Sequence, residues 1–381
     1  MGIPNDPRFA LVDIPGKGRG LVASREFKRG EMIMVEKPMF LLSPSRLLSE
    51  GEPYISAAVR ALSPAEQDIV LDLQDAHMYL GMKTTQGILK TNQLAGEQGV
   101  GLFATASYFN HSCYPSCFAT WHYATGADDA TTLWVLAARD IKIGDELTIY
   151  YISNPCMTRQ QRRAMLWENY CFECNCEVCS LSGYAQIESD TSRARMQELR
   201  EKRPANIPSL HKSGLADVLE RLRLIVVELD AYPRAMGPAC AEAFHLACCL
   251  GKGELARRMA YNSLFTELAT SSAQRSKYHR DMEQFVQNPS KSHYTKKYNL
   301  KLAPMDPVPP VLESVQDGAW ASIAKDLDVP AVWGIRNFAK ESERDRRERL
   351  RLEAEAKKAE AAAASKEKML KRRRLKMQKK K

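Results

Sequence analysis

Residues 171–179 read Cys171-Phe172-Glu173-Cys174-Asn175-Cys176-Glu177-Val178-Cys179, and this run decides how the first half of the chain folds. Four thiols within nine residues form a metal-ligand pattern, because Zn²⁺ takes four donors in a tetrahedron and thiolates suit it. The C-x-C-x-x-C part brings Cys174, Cys176 and Cys179 to one loop. The fourth ligand can be Cys171, which makes the run self-contained, or a distant cysteine. Cys113 is such a candidate. It stands in Phe109-Asn110-His111-Ser112-Cys113-Tyr114-Pro115-Ser116-Cys117, 58 residues before Cys171. If Cys113 completes the site, the metal staples the Asn-His loop to the cysteine run.

Upstream of the run, short apolar and β-branched stretches alternate with turns. Phe9-Ala10-Leu11-Val12 leads into Pro15-Gly16-Lys17-Gly18-Arg19-Gly20, followed by Leu21-Val22-Ala23 and Glu31-Met32-Ile33-Met34-Val35-Glu36. With a turn at Lys28-Arg29-Gly30, these predict small antiparallel pairs. Residues 43–90 read as helical, and Ser63-Pro64-Ala65-Glu66 is an N-cap with proline at the first helical position. From Gly99 to Ile152 strands and loops return. Thr132 to Ala138 reads as a buried strand, and Gly144-Asp145-Glu146-Leu147-Thr148-Ile149-Tyr150-Tyr151 as a turn and a strand.

Downstream, Leu215, Val218, Leu219, Leu222, Ile225, Val226 and Leu229 keep helical spacing. Ala241 to Leu250 and Leu255 to Leu268 predict two more helices, broken at Gly251-Lys252-Gly253. Pro304, Pro307, Pro309 and Pro310 mark a linker. From Glu341 Ala, Glu, Lys and Arg dominate the chain with no Gly or Pro, which predicts a solvated helix or a disordered arm.

Charge follows the same division. Of 381 residues, 55 are basic and 46 acidic, a formal net of +9. Residues 341–381 hold 17 basic and 8 acidic side chains, so the first 340 hold 38 of each sign. A neutral body argues against an enzyme that lays its folded surface along nucleic acid. No apolar run approaches the roughly 18 residues a membrane helix needs. The start, Met1-Gly2-Ile3-Pro4-Asn5-Asp6, has neither a signal-peptide pattern nor the Ser/Thr of a myristoylation site. Ten cysteines without such a signal point to a reducing compartment, where metal binding is favoured over disulfides.

Taken in order, Lys17-Gly18-Arg19-Gly20-Leu21, Asn110-His111-Ser112-Cys113, Gly144 to Tyr151 and Cys171 to Cys179 resemble the motifs of a SET-domain protein-lysine methyltransferase. The likeness covers residues 8–180 and is greatest to the SET-and-MYND branch and its fungal relatives that lack the MYND finger. No cysteine lies between Phe40 and Asn92, so the finger's zinc ligands are missing there. Ser116 stands where the family often has Asn.

The resemblance implies an α+β fold: a SET domain at 1–152 built of small antiparallel sheets, with a helical insert at about 43–90. A post-SET zinc-binding segment at 153–182 would follow, then an α-helical, TPR-like domain at 183–302. A Pro-containing linker at 303–340 and a basic charged tail at 341–381 would complete the chain. It implies Zn²⁺ on Cys113, Cys174, Cys176 and Cys179, with Cys171 a buried packing residue. Cys117, Cys156, Cys240, Cys248 and Cys249 read as core thiols.

It further implies S-adenosyl-L-methionine as methyl donor and a protein lysine, histone or non-histone, as acceptor. Tyr151 is the expected catalytic residue, orienting the amine, with Tyr150 on the opposite face of its strand. Gly18 and Gly20 are expected to let the backbone approach the cofactor closely, and Lys17 and Arg19 to reach its carboxylate. Asn92, Asn110 and His111 should contact the rest of it, and Phe172 should stack on its adenine. Tyr170 and Phe103 would line the lysine channel. Such a channel has work to do, because a lysine of pKa near 10.4 is less than ~0.1% neutral at pH 7. Lys371-Arg372-Arg373-Arg374-Leu375-Lys376 and Lys379-Lys380-Lys381 read as a nuclear address or an arm for non-specific nucleic-acid contact. The expected protein is a monomer of the nucleus, the cytoplasm or both, without membrane association. The alternative is a SET scaffold of little or no activity, acting as an adaptor through its helices and tail.

Overall fold

The computed structural model describes residues 6–292, except 79, 97, 124–129, 203–211, 230–231 and 271–276. The linker and basic tail expected at 303–340 and 341–381 lie outside the described residues.

The first half is three small sheets around a helical insert. The first sheet runs in the order β1 (Phe9–Ile14), β2 (Gly18–Ala23), β10 (Glu146–Ile149) and β7 (Asn110–His111). The second is β3 (Met32–Glu36), β9 (Thr132–Ala137) and β8 (Cys117–His122); the third is β4 (Phe40–Leu42), β6 (Val100–Leu102) and β5 (Leu94–Ala95). Pairing is antiparallel apart from β7 and β10, which run parallel with Asn110 opposite Thr148 and His111 opposite Ile149. The β1–β2 turn depends on glycine, since Gly16 and Gly18 have φ of +74° and +75°, a region that costs other residues a steric clash.

The insert holds α1 (Pro44–Glu50), α2 (Glu52–Arg60), α3 (Pro64–Asp72) and α4 (Thr85–Asn92). At the start of α3 the Glu66 backbone N–H donates to the Ser63 hydroxyl, while the Ser63 N–H donates back to the Glu66 carboxylate at 2.9 Å. This capping box satisfies two N–H groups that would otherwise lack partners.

Beyond the sheets come α5 (Arg159–Tyr170), α6 (Gly183–Glu201), α7 (Lys212–Leu229), α8 (Pro233–Cys249), α9 (Gly253–Thr270) and α10 (Lys277–Gln287). The helix expected from Ala241 begins earlier, at Pro233. Pro238 reads as a breaker in the sequence but is tolerated inside the helix, where tertiary packing outweighs its missing N–H. Gly251, at φ +68°, then lies in the turn between α8 and α9, as the break in periodicity predicts.

Side-chain alternation in the second sheet joins the two halves. Leu133, Val135, Ala137 and Cys117 face the core of the sheets, with Leu21, Phe103 and Leu147. Phe118 and Leu136 face the other way, into the core of Leu222, Met236, Phe244 and Met259 from the helices. Two buried ion pairs hold charge inside the helical half: Arg193 with Glu228 at 2.8 Å and Arg221 with Glu242 at 2.6 Å. Buried charges persist where they are paired in this way.

Candidate active site and cysteine centre

Because β10 lies between β2 and β7, the glycine-rich turn, the Asn-His strand and the end of β10 meet at one edge of the first sheet. Glu146 fastens them. Its carboxylate accepts from Lys17 Nζ at 2.5 Å and from Asn110 Nδ2 at 3.0 Å. Asn110 Nδ2 also lies 3.3 Å from the Arg19 carbonyl oxygen. The approach leaves no space at Gly20, where a Cβ would stand 2.5 Å from Asn110 Nδ2 and 2.8 Å from Ile14 Cγ1. Gly20→Ala is therefore expected to cost about 1–3 kcal/mol of stability through overpacking. Chemical denaturation should show that loss, with weakened ligand binding at Asn110; unchanged stability would contradict the packing.

Ser116 takes part in the same junction. Its hydroxyl donates to the Glu146 carbonyl at 2.8 Å and accepts from the Thr148 N–H at 2.9 Å. Ser116, at the place where the family often has Asn, thus pins the loop after Cys113 to β10.

A cavity of about 490 Å³ opens at this edge. Lys17, Gly18, Arg19, Asn92, Asn110, His111 and Phe172 are among the residues that line it. Its size lies within the ~300–1,000 Å³ typical of small-molecule and cofactor sites. Both cations carry carboxylate partners: Lys17 has Glu146, and Arg19 Nη1 donates to Asp72 Oδ2 at 2.6 Å while its guanidinium lies 5.0 Å from the Tyr108 ring centroid. Arg19 in turn holds the Asp72 carboxyl below its ordinary range. Asn92 Nδ2 donates to the Gln74 and Ile88 carbonyls, both at 2.7 Å.

A second cavity of about 270 Å³ shares Thr91, Asn92, Ser107, Tyr151 and Tyr170 with the first. Its own walls are Phe109, Trp121, Leu133, Ile149, Tyr150 and Tyr232. Tyr151 and Tyr170, with ring centroids 4.8 Å apart, form the partition between the cavities. The Tyr151 hydroxyl donates to the Phe109 carbonyl at 2.7 Å. Burial, helped by Tyr170 and Glu146, pushes its phenol well above the ordinary value near 10. It stays protonated and acts as a donor.

His111 lines the first cavity, and both its ring nitrogens are engaged by the protein. Nδ1 accepts from the Tyr151 N–H at 3.0 Å, so Nε2 carries the proton and faces Cys113 Sγ at 3.3 Å. Burial pushes this imidazole down to about 3, keeping it neutral. Its role is to join the cysteine centre to the backbone of Tyr151. The Tyr150 and Tyr151 rings both lie 5.3 Å from the His111 ring. Tyr150 then packs toward the helical core and Tyr151 toward the sheet core. The strand ends at Ile149, so neither tyrosine lies within it.

Cys113, Cys174, Cys176 and Cys179 are buried, with all four sulfurs within 4.8 Å of one another. Cys113 Sγ lies 3.5 Å from Cys179 Sγ and 3.9 Å from Cys174 Sγ. A tetrahedron with Zn–S near 2.3 Å requires about 3.8 Å between sulfurs, so the donor set and its dimensions fit zinc. Cys171 stands apart. It is exposed and adopts a left-handed φ of +56° that ends α5, with its sulfur 3.9 Å from His77 Nδ1. The expectation of a buried packing residue is corrected: a C-terminal cap turns its side chain outward. Cys117, Cys156, Cys240 and Cys248 are buried and Cys249 is half-buried.

Phe103 is fully buried and packs 5.3 Å from Trp121, lining neither of these cavities. Trp121 lines the second cavity in its place. Sequence reading missed Trp121, Tyr232 and Asp72. Trp121 stands on a strand that carried no motif, and Tyr232 precedes a helix whose start the prolines obscured. Glu146 stands inside the Gly144-to-Tyr151 stretch, whose pattern marks a turn and a strand and gives no sign of its long-range partners.

Residues 18–152 match the SET domain family. The histone-lysine N-methyltransferase SMYD3 of Homo sapiens is 37% identical over 114 residues, 27% of this chain and 25% of that one. The histone-lysine N-methyltransferase set5 of Schizosaccharomyces pombe is 26% identical over 287 residues, 75% of this chain and 85% of that one. The protein-lysine N-trimethyltransferase SMYD5 of Mus musculus is 34% identical over 93 residues, 23% of this chain and 21% of that one. The chain thus spans about a quarter of the length of the human relative.

Proposed function

Since this chain carries a SET domain, related to those of the SMYD and Set5 lysine methyltransferases, we propose that it transfers a methyl group from S-adenosyl-L-methionine to the ε-amine of a protein lysine. The observation that carries the reading is the pair of cavities meeting at Tyr151 and Tyr170. One offers paired cations, amides and an aromatic ring; the other sets Trp121, Tyr150, Tyr170 and Tyr232 beside Leu133 and Ile149, with Asn92, Gln93, Ser107 and Ser153 also on its lining. A reaction between a cofactor and a side chain needs such access from two sides.

S-adenosyl-L-methionine, when bound, would supply the methyl group on a sulfonium. Lys17 and Arg19 would bind its carboxylate, sharing their charge with Glu146 and Asp72. Asn92 and Asn110 would hold its polar groups, and Phe172 would cover the adenine. Substrate lysine would enter between Trp121, Tyr150, Tyr170 and Tyr232. An apolar channel penalises the ammonium and favours the neutral amine that attacks. Tyr151 would orient that amine, since alignment of reacting atoms is a large part of catalysing a displacement. Zn²⁺ on Cys113, Cys174, Cys176 and Cys179 would be structural, fixing Phe172 and the Asn-His strand.

The state of Tyr151 has a consequence in pH. Its phenol is raised by burial, so the donor form persists above the ordinary phenol range. The single-turnover rate is expected to rise with pH as the substrate lysine loses its proton. It should show no fall from Tyr151 ionisation up to about pH 10. A bell-shaped profile falling near pH 9 and abolished in Tyr151→Phe would contradict this.

The relatives named for histone methylation and the basic 371–381 segment support a nuclear or cytoplasmic enzyme acting on histone or non-histone lysines, with the tail as the arm for polyanions. Among the described residues no helix is long and apolar enough to cross a membrane. Incubation of the purified chain with methyl-labelled cofactor and nuclear or cytosolic extract tests the activity. Label in discrete protein bands is expected. Calorimetric cofactor binding with no labelled protein in any extract would replace the enzyme with a scaffold.

A further inference from the structure

Arg162 on α5 is fully buried. Its hydrogen bonds among the described residues go to no carboxylate. Nη1 donates to the Met157 carbonyl at 2.6 Å, Nε points at Cys113 Sγ at 3.1 Å, and Nη2 at Cys179 Sγ at 3.5 Å. The two neighbouring buried or half-buried arginines are balanced differently. Arg193, also fully buried, pairs with Glu228 at 2.8 Å, and Arg163 pairs with Glu173 at 2.7 Å while reaching the carbonyls of Cys174 and Cys179.

Withdrawing a guanidinium from water costs several kcal/mol, and the cost is offset only by a nearby anion in good geometry. For Arg162 the anions at hand are sulfurs. Four thiolates around a divalent ion carry two net negative charges, and a planar fork that reaches two of those sulfurs from one side is suited to offset them. Cys113 Sγ also faces the His111 ring nitrogen, and the Cys113 N–H donates toward Cys176 Sγ at 3.4 Å. We propose that Arg162 is the counter-cation of the cysteine centre, a positioning residue that raises its affinity for Zn²⁺ by donating to the Cys113 and Cys179 thiolates.

The role rests on reading the four cysteines as a metal centre, and the test separates the two. Wild-type protein, Arg162→Met, Arg162→Lys and Arg163→Met are loaded with zinc and titrated with a chromogenic chelator. Removal of a partner just outside the ligands typically costs 10–100-fold in metal affinity, and a loss of about that size is expected for Arg162→Met. Arg162→Lys should recover part of it by keeping the charge. Arg163→Met, which removes the Glu173 pair and two contacts to backbone carbonyls but none to a sulfur, should lose less. With Co²⁺ in place of zinc, the sulfur-to-metal charge-transfer bands should shift in Arg162→Met and stay in place in Arg163→Met.

Zinc affinity and a cobalt spectrum like wild type in folded Arg162→Met overturn the proposal. A wild-type chain that binds no zinc overturns instead the metal reading beneath it. One measurement needs no variant. In wild-type protein loaded with ¹¹³Cd, the Arg162 Nε–H proton should show scalar coupling to the metal through Cys113 Sγ. An uncoupled proton in rapid exchange with solvent is the contrary result.

Discussion

Tyr151→Phe is expected to leave the protein folded and able to bind cofactor while cutting methyl transfer by about 100-fold or more, the scale seen when one preorganised donor is removed from a reacting centre. The substitution keeps the ring that separates the two cavities and its packing on Tyr170 and His111. It removes only the hydroxyl that donates to the Phe109 carbonyl. Losing that bond costs about 1 kcal/mol of stability, too little to unfold a domain with this core. Binding calorimetry and single-turnover transfer, run on the same preparation, separate the outcomes. Transfer at the wild-type rate would remove Tyr151 from the chemistry. Loss of cofactor binding together with rate would make it a structural residue of the partition.

The second large effect concerns the metal. Stripping zinc with a chelator, or replacing Cys174 with Ser, is expected to abolish cofactor binding and lower the stability of the sheet half by several kcal/mol. Zinc-finger peptides draw roughly 10–16 kcal/mol of apparent binding energy from such a site; here part of the loop is also held by α5 through Arg163. Cofactor binding should fail because the centre connects Phe172, two residues before Cys174, with Cys113, two residues after His111. His111 in turn holds the Tyr151 backbone. The core of α7 to α10 holds no cysteine of this cluster, but it shares Phe118 and Leu136 with the second sheet. Scanning calorimetry with and without chelator should therefore show the unfolding transition of the joined halves move to lower temperature. An unchanged transition and intact cofactor binding would show that the four sulfurs do not depend on a metal.

Much of this was legible before any coordinates, for a physical reason. Backbone geometry at a site must be supplied locally, by glycines where φ is positive, by cysteines at ligand spacing, and by short strands that end at the reacting edge. Those demands leave marks such as Lys17-Gly18-Arg19-Gly20 and Cys174-Asn175-Cys176. What lay hidden was supplied over long range. Trp121 is a strand residue like many others until β8 folds beside β6, and Tyr232 becomes a cavity wall only when the helices close on the second sheet. Phe103 illustrates the opposite error, an aromatic near a motif that the core absorbs. Asp72 could not be read as a partner of Arg19, because 53 residues separate them and the pairing depends on how α3 is seated. The exposure of Cys171 follows from its left-handed cap on α5, which the family resemblance does not reveal.

The central claim is that the two cavities meet at Tyr151 so that a methyl group passes to a lysine. The most direct measurement uses a cofactor carrying a deuterated methyl, an extract as substrate source, and tandem mass spectrometry to find the atom that receives the label. The label should reside on lysine ε-nitrogens of a small set of proteins, with almost none in a parallel reaction with Tyr151→Phe. Label on another residue type, or equal lysine labelling by wild type and variant, would contradict it.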